Sequence, residues 1–282
     1  MNKYVKLYGR KIDYYASLED PKKSVLVFEE LKKYQNIDGG FGHGLEIDIQ
    51  APISNMPSTD VAIKYINKLP PSNELELMID GMIRYYEAMF NPEEHRWYMV
   101  EQEVDQYPRA IWWNYEGRTS FGVLNPTPEI LGFLYLHKDK VKTINLENEI
   151  SLMVERIKQQ LSLSKGFHDV LSVLRFYRDV PYIRHDIYDV LYRKTQEFLK
   201  NQEGDYYLRA HQVALISSEF VLEDQLKKDI EKLKEELEKN GYIMCPWQWY
   251  QYEEDFKRVK PYWNAFLTTE AMEAINKYEE EN

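Results

Sequence analysis

The stretch YQNIDGGFGHGLEIDIQAP (residues 34–52) holds four glycines and four potential ligand side chains, Asp38, His43, Glu46 and Asp48. Glycine supplies only 12 of the 282 residues of the chain, so this concentration needs a local cause. Glycine permits positive φ and close backbone approach, and Asn36 and Asp38 can bond back to nearby amides. Residues 38–42 therefore read as a tight turn needed for stability, with Gly40 the candidate for positive φ. The turn follows SVLVFEELKKYQN and precedes STDVAIKYINKL, both apolar at helical spacing, so it links two helices. Turn chemistry does not account for HGLEID. The carboxylates of Glu46 and Asp48, close in sequence and beside His43, repel unless a cation, a proton or a ligand hydroxyl lies between them, or solvent screens them.

The same helical spacing runs through the rest of the chain. In LEDQLKKDIEKLKEELEKN the apolar residues Leu226, Ile230, Leu233 and Leu237 make one stripe with charge elsewhere. LENEISLMVERIKQQL, ELELMIDGMIRYYEAMF and IYDVLYRKTQEFLKNQ behave similarly and read as outer helices. Between them lie segments apolar on more of their circumference, at residues 58–69, 126–137, 168–178, 210–220 and 263–278. Such helices are enclosed by others. The pairs recur about every 40 residues, as in helical repeat proteins. The expectation is an all-α, single-domain chain over residues 1–282, an α/α toroid of five or six hairpins with inner and outer helix layers. An open solenoid or an irregular bundle is the alternative. GYIMCPWQWYQY (residues 241–252) is a candidate for a short strand.

Composition narrows the function. The formal charge is −11, from 36 Lys and Arg against 47 Asp and Glu, and no basic run interleaved with aromatics offsets it, so nucleic acid is not an expected partner. No run approaches the ~18 apolar residues of a membrane-spanning helix. The first residues, MNKYVKLYGRKIDYYASLED, mix charge with aromatics and do not resemble a secretory leader, which makes the cytoplasm the expected location. The single cysteine, Cys245, permits no intramolecular disulfide and reads as a small buried residue.

QNIDGGFG (residues 35–42) resembles the repeat signature of the terpene-cyclase and protein-prenyltransferase superfamily of α/α toroids. DGGFGHGLEIDIQAP, RAIWWNY and NPTPEILGFL together look like an uncharacterised bacterial group of prenyltransferase-like toroids. The resemblance is strong over residues 35–69 and weaker over 109–134, and elsewhere rests on alternating helices. It implies an isoprenoid-related enzyme or binding protein, and a glycine turn that is mostly structural. The chain departs from both familiar activities of that superfamily. It has no Asp-x-Asp-Asp tetrad, of which EIDI is only a partial echo, and Cys245 has no Asp or His at a familiar zinc-ligand spacing, so neither a metal nor a cofactor is specified.

The candidate catalytic residues are His43, Glu46 and Asp48 beyond the turn, with His168 and His211, which interrupt apolar faces at equivalent repeat positions and are suited to act as acid and base. Asp60 and Glu129 read as first-turn acids, and Asn264 and Thr268 as polar groups at an inner-helix start. Candidate substrate-binding residues are Arg109, Trp112, Trp113, Asn125, Arg209, Trp247 and Trp249; Arg109, Arg175 and Arg209 suit an anion, and the loop tryptophans a hydrocarbon or a sugar ring. His43, Glu46 and Asp48 are expected to meet Arg109, Trp112 and Trp113 at one mouth of the ring. The function is then an isoprenoid-related enzyme or binding protein. The alternatives are a carbohydrate-active hydrolase or lyase, and a non-enzymatic scaffold for a peptide or protein; the small-molecule ligand is a prenyl group or a sugar. A dry pocket favours the first, a wet recess with opposed carboxylates the second, and a filled centre the third.

Overall fold

The computed structural model describes residues 2–18, 20, 22–116, 123–204 and 206–281. Residues 117–122, the latter part of the RAIWWNYEGRTSFG segment, lie outside the described residues. Twelve α-helices form among the described residues. They are α1 (Lys3–Tyr8), α2 (Lys11–Ala16), α3 (Lys23–Leu31), α4 (Met56–Ile66), α5 (Asn73–Met89), α6 (Thr127–Leu136), α7 (Leu146–Gln160), α8 (Phe167–Asp179), α9 (Arg184–Lys200), α10 (Ala210–Ala214), α11 (Glu223–Asn240) and α12 (Glu253–Glu281). No β-strand occurs among the described residues; isolated bridges join Gln35 to Phe41, Ile49 to Arg109 and Asn91 to Arg96. None of these helices is long and apolar enough to cross a membrane.

Helix ends follow residues that satisfy the free backbone groups. Asn55 accepts from the Ser58 amide at the start of α4, Ser72 from Leu75 at α5, and Asn145 from Asn148 at α7. Gly241, at φ 80°, ends α11 in the left-handed conformation. The expected difference in burial is present: α6 buries eight consecutive residues from Thr127 to Leu134, whereas α11 buries only Asp229, Ile230 and Leu233. α6 packs along α8 and touches α4, and α7, α9 and α11 lie with one face outward. α12 packs against α10, α11, α1 and α2, so the first and last helices meet. There Tyr4 stacks on Tyr242 at 4.1 Å, and Asn2 donates to the Gly241 carbonyl at 2.9 Å.

Three segments differ from expectation. Within residues 210–220 only Ala210–Ala214 is α-helical, followed by a single 3₁₀ turn at Ser218–Phe220. Residues 241–252 form no strand; Tyr250 and Tyr252 take φ of 60° and 49°, which breaks an extended path. Asn264 and Thr268 do not start a helix but sit within α12. Asn264 Oδ1 accepts from the Cys245 amide, and Thr268 Oγ1 from the Ile243 amide, so they hold the loop that precedes α12.

The glycine turn is a clamp between helix pairs. Gln35 donates to the carbonyls of Gly39 and Met78, Asn36 to Pro52 O and Ser54 Oγ, and Asp38 accepts from the Gly40 amide and the Ser54 hydroxyl. Phe41 is fully buried and its amide donates to Thr59 on α4. Positive φ falls on Gly39, at 92°, rather than on Gly40. The turn backbone there meets Gly81 of α5 so closely that a Cβ on Gly39 would lie 2.0 Å from the Gly81 carbonyl oxygen. Gly39→Ala should therefore destabilise the chain by about 2 kcal/mol or more, combining a strained φ with a backbone clash. Gly204→Ala, at φ 75° with nothing within 4 Å of the added atom, meets only the backbone strain. Equal losses for the two variants in urea unfolding would show that the Gly39–Gly81 approach contributes nothing.

Candidate functional site

The segment after the turn is pinned from three sides. Arg10, fixed by a buried ion pair with Asp13, donates to the carbonyls of Gly44 and Leu45 at 3.2 and 2.7 Å. The Ala110 amide donates to Asp48 O and the Gln50 amide to Pro108 O, both at 2.9 Å. The Ile111 amide in turn donates to Trp249 O at 3.0 Å, which ties residues 46–50, 108–111 and 249 together. Asp48 lies at this junction, only 3% exposed. Its Oδ1 accepts from the indole N–H of both Trp249 and Trp263 at 2.5 Å each. Trp247 presents a third indole that also favours the Asp48 carboxylate, although its buried N–H makes no hydrogen bond within normal geometry.

Burial nevertheless dominates here, raising the Asp48 carboxyl to about 6 against the pull of the three indoles. Glu46, whose Oε1 accepts from the Asp48 amide at 3.2 Å, is raised further, to about 8. Burial is the larger cause and the neighbouring Asp48 charge the second. At neutral pH Asp48 is thus the ionised member of the pair and Glu46 the protonated one, with the proton taking the place of the bridging cation that their proximity demands.

Glu46 faces a group of charged side chains carried by the buried helices. Lys64 on α4 feels Glu46, Glu129 and Glu270 together with the positive charge of Arg175. Asp60 on α4 accepts from the Tyr86 hydroxyl at 2.9 Å and is raised well above the ordinary carboxylate range by burial and then by Glu129. Glu129 is paired with Arg175 at 2.8 Å. Glu270 on α12 goes the other way: burial would raise it, but the neighbouring His211 and the charge of Lys64 outweigh that and lower it to about 2. His168 and Tyr206 are exposed by surface area, yet burial is the largest cause of the shift of each. Side chains that keep accessible surface while being desolvated line a recess rather than the outer surface. One wall of it is aromatic: Tyr206 to Trp247 at 4.9 Å between ring centroids, Trp247 to Trp263 at 4.8 Å and Trp263 to Phe266 at 5.7 Å.

The sequence candidates divide on this geometry. Glu46, His168 and Trp247 face the recess, with Asp48 and Trp249 buried beneath it. His168 lies 2.9 Å from the Tyr206 hydroxyl and is lowered to about 4 by burial, Arg175 and Lys64, which keeps it neutral. His211 is buried between Asp229, at 2.7 Å, and Glu270, at 3.6 Å, and is raised despite burial, so the two histidines occupy unlike environments. His43 does not approach the recess: it is exposed, at φ 56°, with its ring 2.9 Å from Asn36 Oδ1 in the turn. The backbone around Arg109 does meet that of Asp48, as expected, but its guanidinium turns to Asp105 and the carbonyls of Asp105 and Tyr107. Trp112 and Trp113 pack on the apolar cluster around Trp249 and Phe256. Asn125 is half-buried just before α6. Arg209 is paired with Asp229 and Arg175 with Glu129, so all three arginines expected to receive an anion already hold carboxylates.

Sequence reasoning overlooked Lys64, Glu270, Tyr206 and Trp263, and read Asp60 and Glu129 as helix-start acids. Lys64 left a usable signal, a charge beside the apolar residues Ile63, Tyr65 and Ile66 of α4; α4 is capped by Asn55, which frees Asp60 from that role. Among the described residues no group of three or more His, Cys, Asp or Glu side chains is arranged to hold a metal ion. Comparison with protein-family models, with curated proteins and with solved structures gave no match.

Folded Glu46 keeps its proton to about pH 8, whereas an unfolded glutamate loses it near its ordinary value of 4.5. Between those values the folded chain binds more protons than the unfolded one, so stability falls as pH rises. Glu46→Gln removes this dependence. In urea titrations the variant should gain on the wild type progressively from pH 4.5 to 8, and a difference independent of pH would contradict the assignment.

Proposed function

We propose that the helices close into an α/α toroid and that its central recess binds and acts on a saccharide by acid–base chemistry. The meeting of α1 with α12 and the alternation of enclosed and one-sided helices support the ring, in agreement with the resemblance of the glycine turn to the prenyltransferase-like toroids. The observation that carries the reading is the opposite ionisation of two carboxyl groups about one lysine. Glu46 is pushed up to about 8 and Glu270 down to about 2, and both act on Lys64. Carboxyl groups whose environments separate their pKa values divide naturally into proton donor and ionised partner. Glu46 then protonates the departing oxygen, and Glu270 serves as base or as the anion that stabilises developing positive charge. Trp247, Trp263 and Tyr206 offer flat faces to a sugar ring, with polar groups at its edges.

An isoprenoid fits this recess less well. A prenyl diphosphate needs donors for its charge, and Arg109, Arg175 and Arg209 are each paired with a carboxylate. A carbocation needs walls without bases, whereas Lys64, His168 and Glu270 all face the recess.

A thermal-shift screen of neutral and uronic oligosaccharides against prenyl diphosphates tests the choice. Saccharides should raise the melting temperature and prenyl diphosphates should not. With a saccharide that is turned over, Glu46→Gln should lower turnover about 10²–10⁴-fold while leaving binding in place, the usual range for loss of a general acid. Trp247→Ala should weaken binding instead. Stabilisation by prenyl diphosphates alone would overturn the reading.

A further inference from the structure

Lys64 is unusual among the charged side chains of the recess. Its ammonium makes no hydrogen bond and no ion pair within 4 Å among the described residues; its one close partner is the face of Phe266, 5.3 Å from Nζ to the ring centroid. The other basic groups around it are engaged, Arg175 with Glu129 and His211 with Asp229 and Glu270. Lys64 is half-buried in the middle of α4, with Glu46 on the adjoining segment, Glu129 on α6, Arg175 on α8 and Glu270 on α12 all acting on it. An amine without a fixed partner, beside a second cation and a protonated carboxyl group, has the surroundings of a lysine nucleophile.

We propose that Lys64 condenses with the free carbonyl of an aldehyde or ketone, such as an open-chain sugar, to form an iminium ion. This goes beyond the acid–base reading, because a glycosidic acetal has no free carbonyl; it rests on that reading only for the choice of a polyhydroxylated ligand. The steps balance with solvent as the proton reservoir. The Lys64 ammonium gives a proton to water, and the Nζ lone pair attacks the carbonyl carbon while the C=O π electrons move to oxygen. Glu46 protonates that oxygen, giving a carbinolamine, and recovers a proton from the nitrogen. Glu46 then passes that proton to the hydroxyl, which leaves as water as the nitrogen lone pair forms the C=N bond, and Glu46 is reprotonated from solvent. The sum is ammonium plus carbonyl to iminium plus water. Burial first, and then Arg175, lower the lysine from its ordinary 10.5, which favours the free amine that starts the sequence.

The test is reductive trapping on the whole protein. D-glyceraldehyde and sodium cyanoborohydride are added at pH 7, and the modified lysines are located by peptide mass spectrometry over time. Lys64 should be modified faster than the exposed Lys227 and Lys228 of α11, as expected of an amine whose protonated form burial and Arg175 disfavour. Modification of Lys64 no faster than those two lysines overturns the proposal. Glu46→Gln should slow labelling at Lys64 and leave Lys227 unchanged; unchanged labelling at Lys64 overturns the proton-transfer step. The primary readout uses the wild-type chain and does not depend on a variant folding. If no saccharide stabilises the protein while glyceraldehyde marks Lys64 selectively, the saccharide reading fails and this inference stands. If saccharides bind and Lys64 is unselective, the reverse holds.

Discussion

A single carboxylate, that of Asp48, joins the segment after the glycine turn to α12 and the loop before it. Its hydrogen bonds to the indoles of Trp249 and Trp263 connect residues 201 and 215 positions apart. They add to the hold of Arg10, of the Asn36 bonds to Pro52 and Ser54, and of the backbone pairing with residues 108–110 on the segment between the glycine turn and α4. A buried carboxylate is tolerated only when donors replace the lost water, and indole N–H groups do so while surrounding it with apolar surface. The same contacts orient Trp263, and through it the edge-to-face contact with Trp247, so the aromatic wall and the acidic floor depend on one another.

The ionisation of the recess follows from that arrangement. The Asp48 charge is fixed below Glu46, which adds repulsion to burial and keeps the Glu46 proton in place at neutral pH. Glu270 lies 3.6 Å from His211 and feels the charge of Lys64, and there the favourable interactions exceed burial. Two glutamates in one recess thus take opposite states for reasons that can be traced to single neighbours. The glycine turn acts at a distance from this chemistry: it sets where the segment bearing Glu46 leaves α3 and enters α4, through the Gln35 bond to Met78 of α5 and the Phe41 amide bond to Thr59 of α4.

The helical character of the chain was legible because its evidence is local. The stripe of Leu226, Ile230, Leu233 and Leu237 needs no knowledge of the partner helix, and the QNIDGGFG turn carries its own glycines and Asx residues. What escaped depended on side-chain contacts that the residue pattern does not display, some of them remote in sequence. Positive φ at Gly39 rather than Gly40 follows from the approach of Gly81, which the turn sequence does not contain. His43 looked equivalent to Glu46 by position, yet Asn36 holds its ring in the turn. The three arginines have the look of anion receptors, yet Arg175 and Arg209 hold carboxylates of other helices and Arg109 holds Asp105, four residues before it. Glu270 gives no such local sign, and that of Lys64 is incomplete, since a charge within a helix is equally a solvated one until the helices packed against it are known.

Indole proton resonances offer the most direct test of the central claim, that Asp48 is a buried carboxylate held by two tryptophans and coupled to Glu46. In ¹H–¹⁵N spectra the Nε1–H signals of Trp249 and Trp263 should move together as pH rises, with a main step near 6 and a smaller one near 8 as Glu46 loses its proton. Indole signals that stay fixed from pH 5 to 9, a range spanning both steps, or that titrate independently of one another, would contradict it.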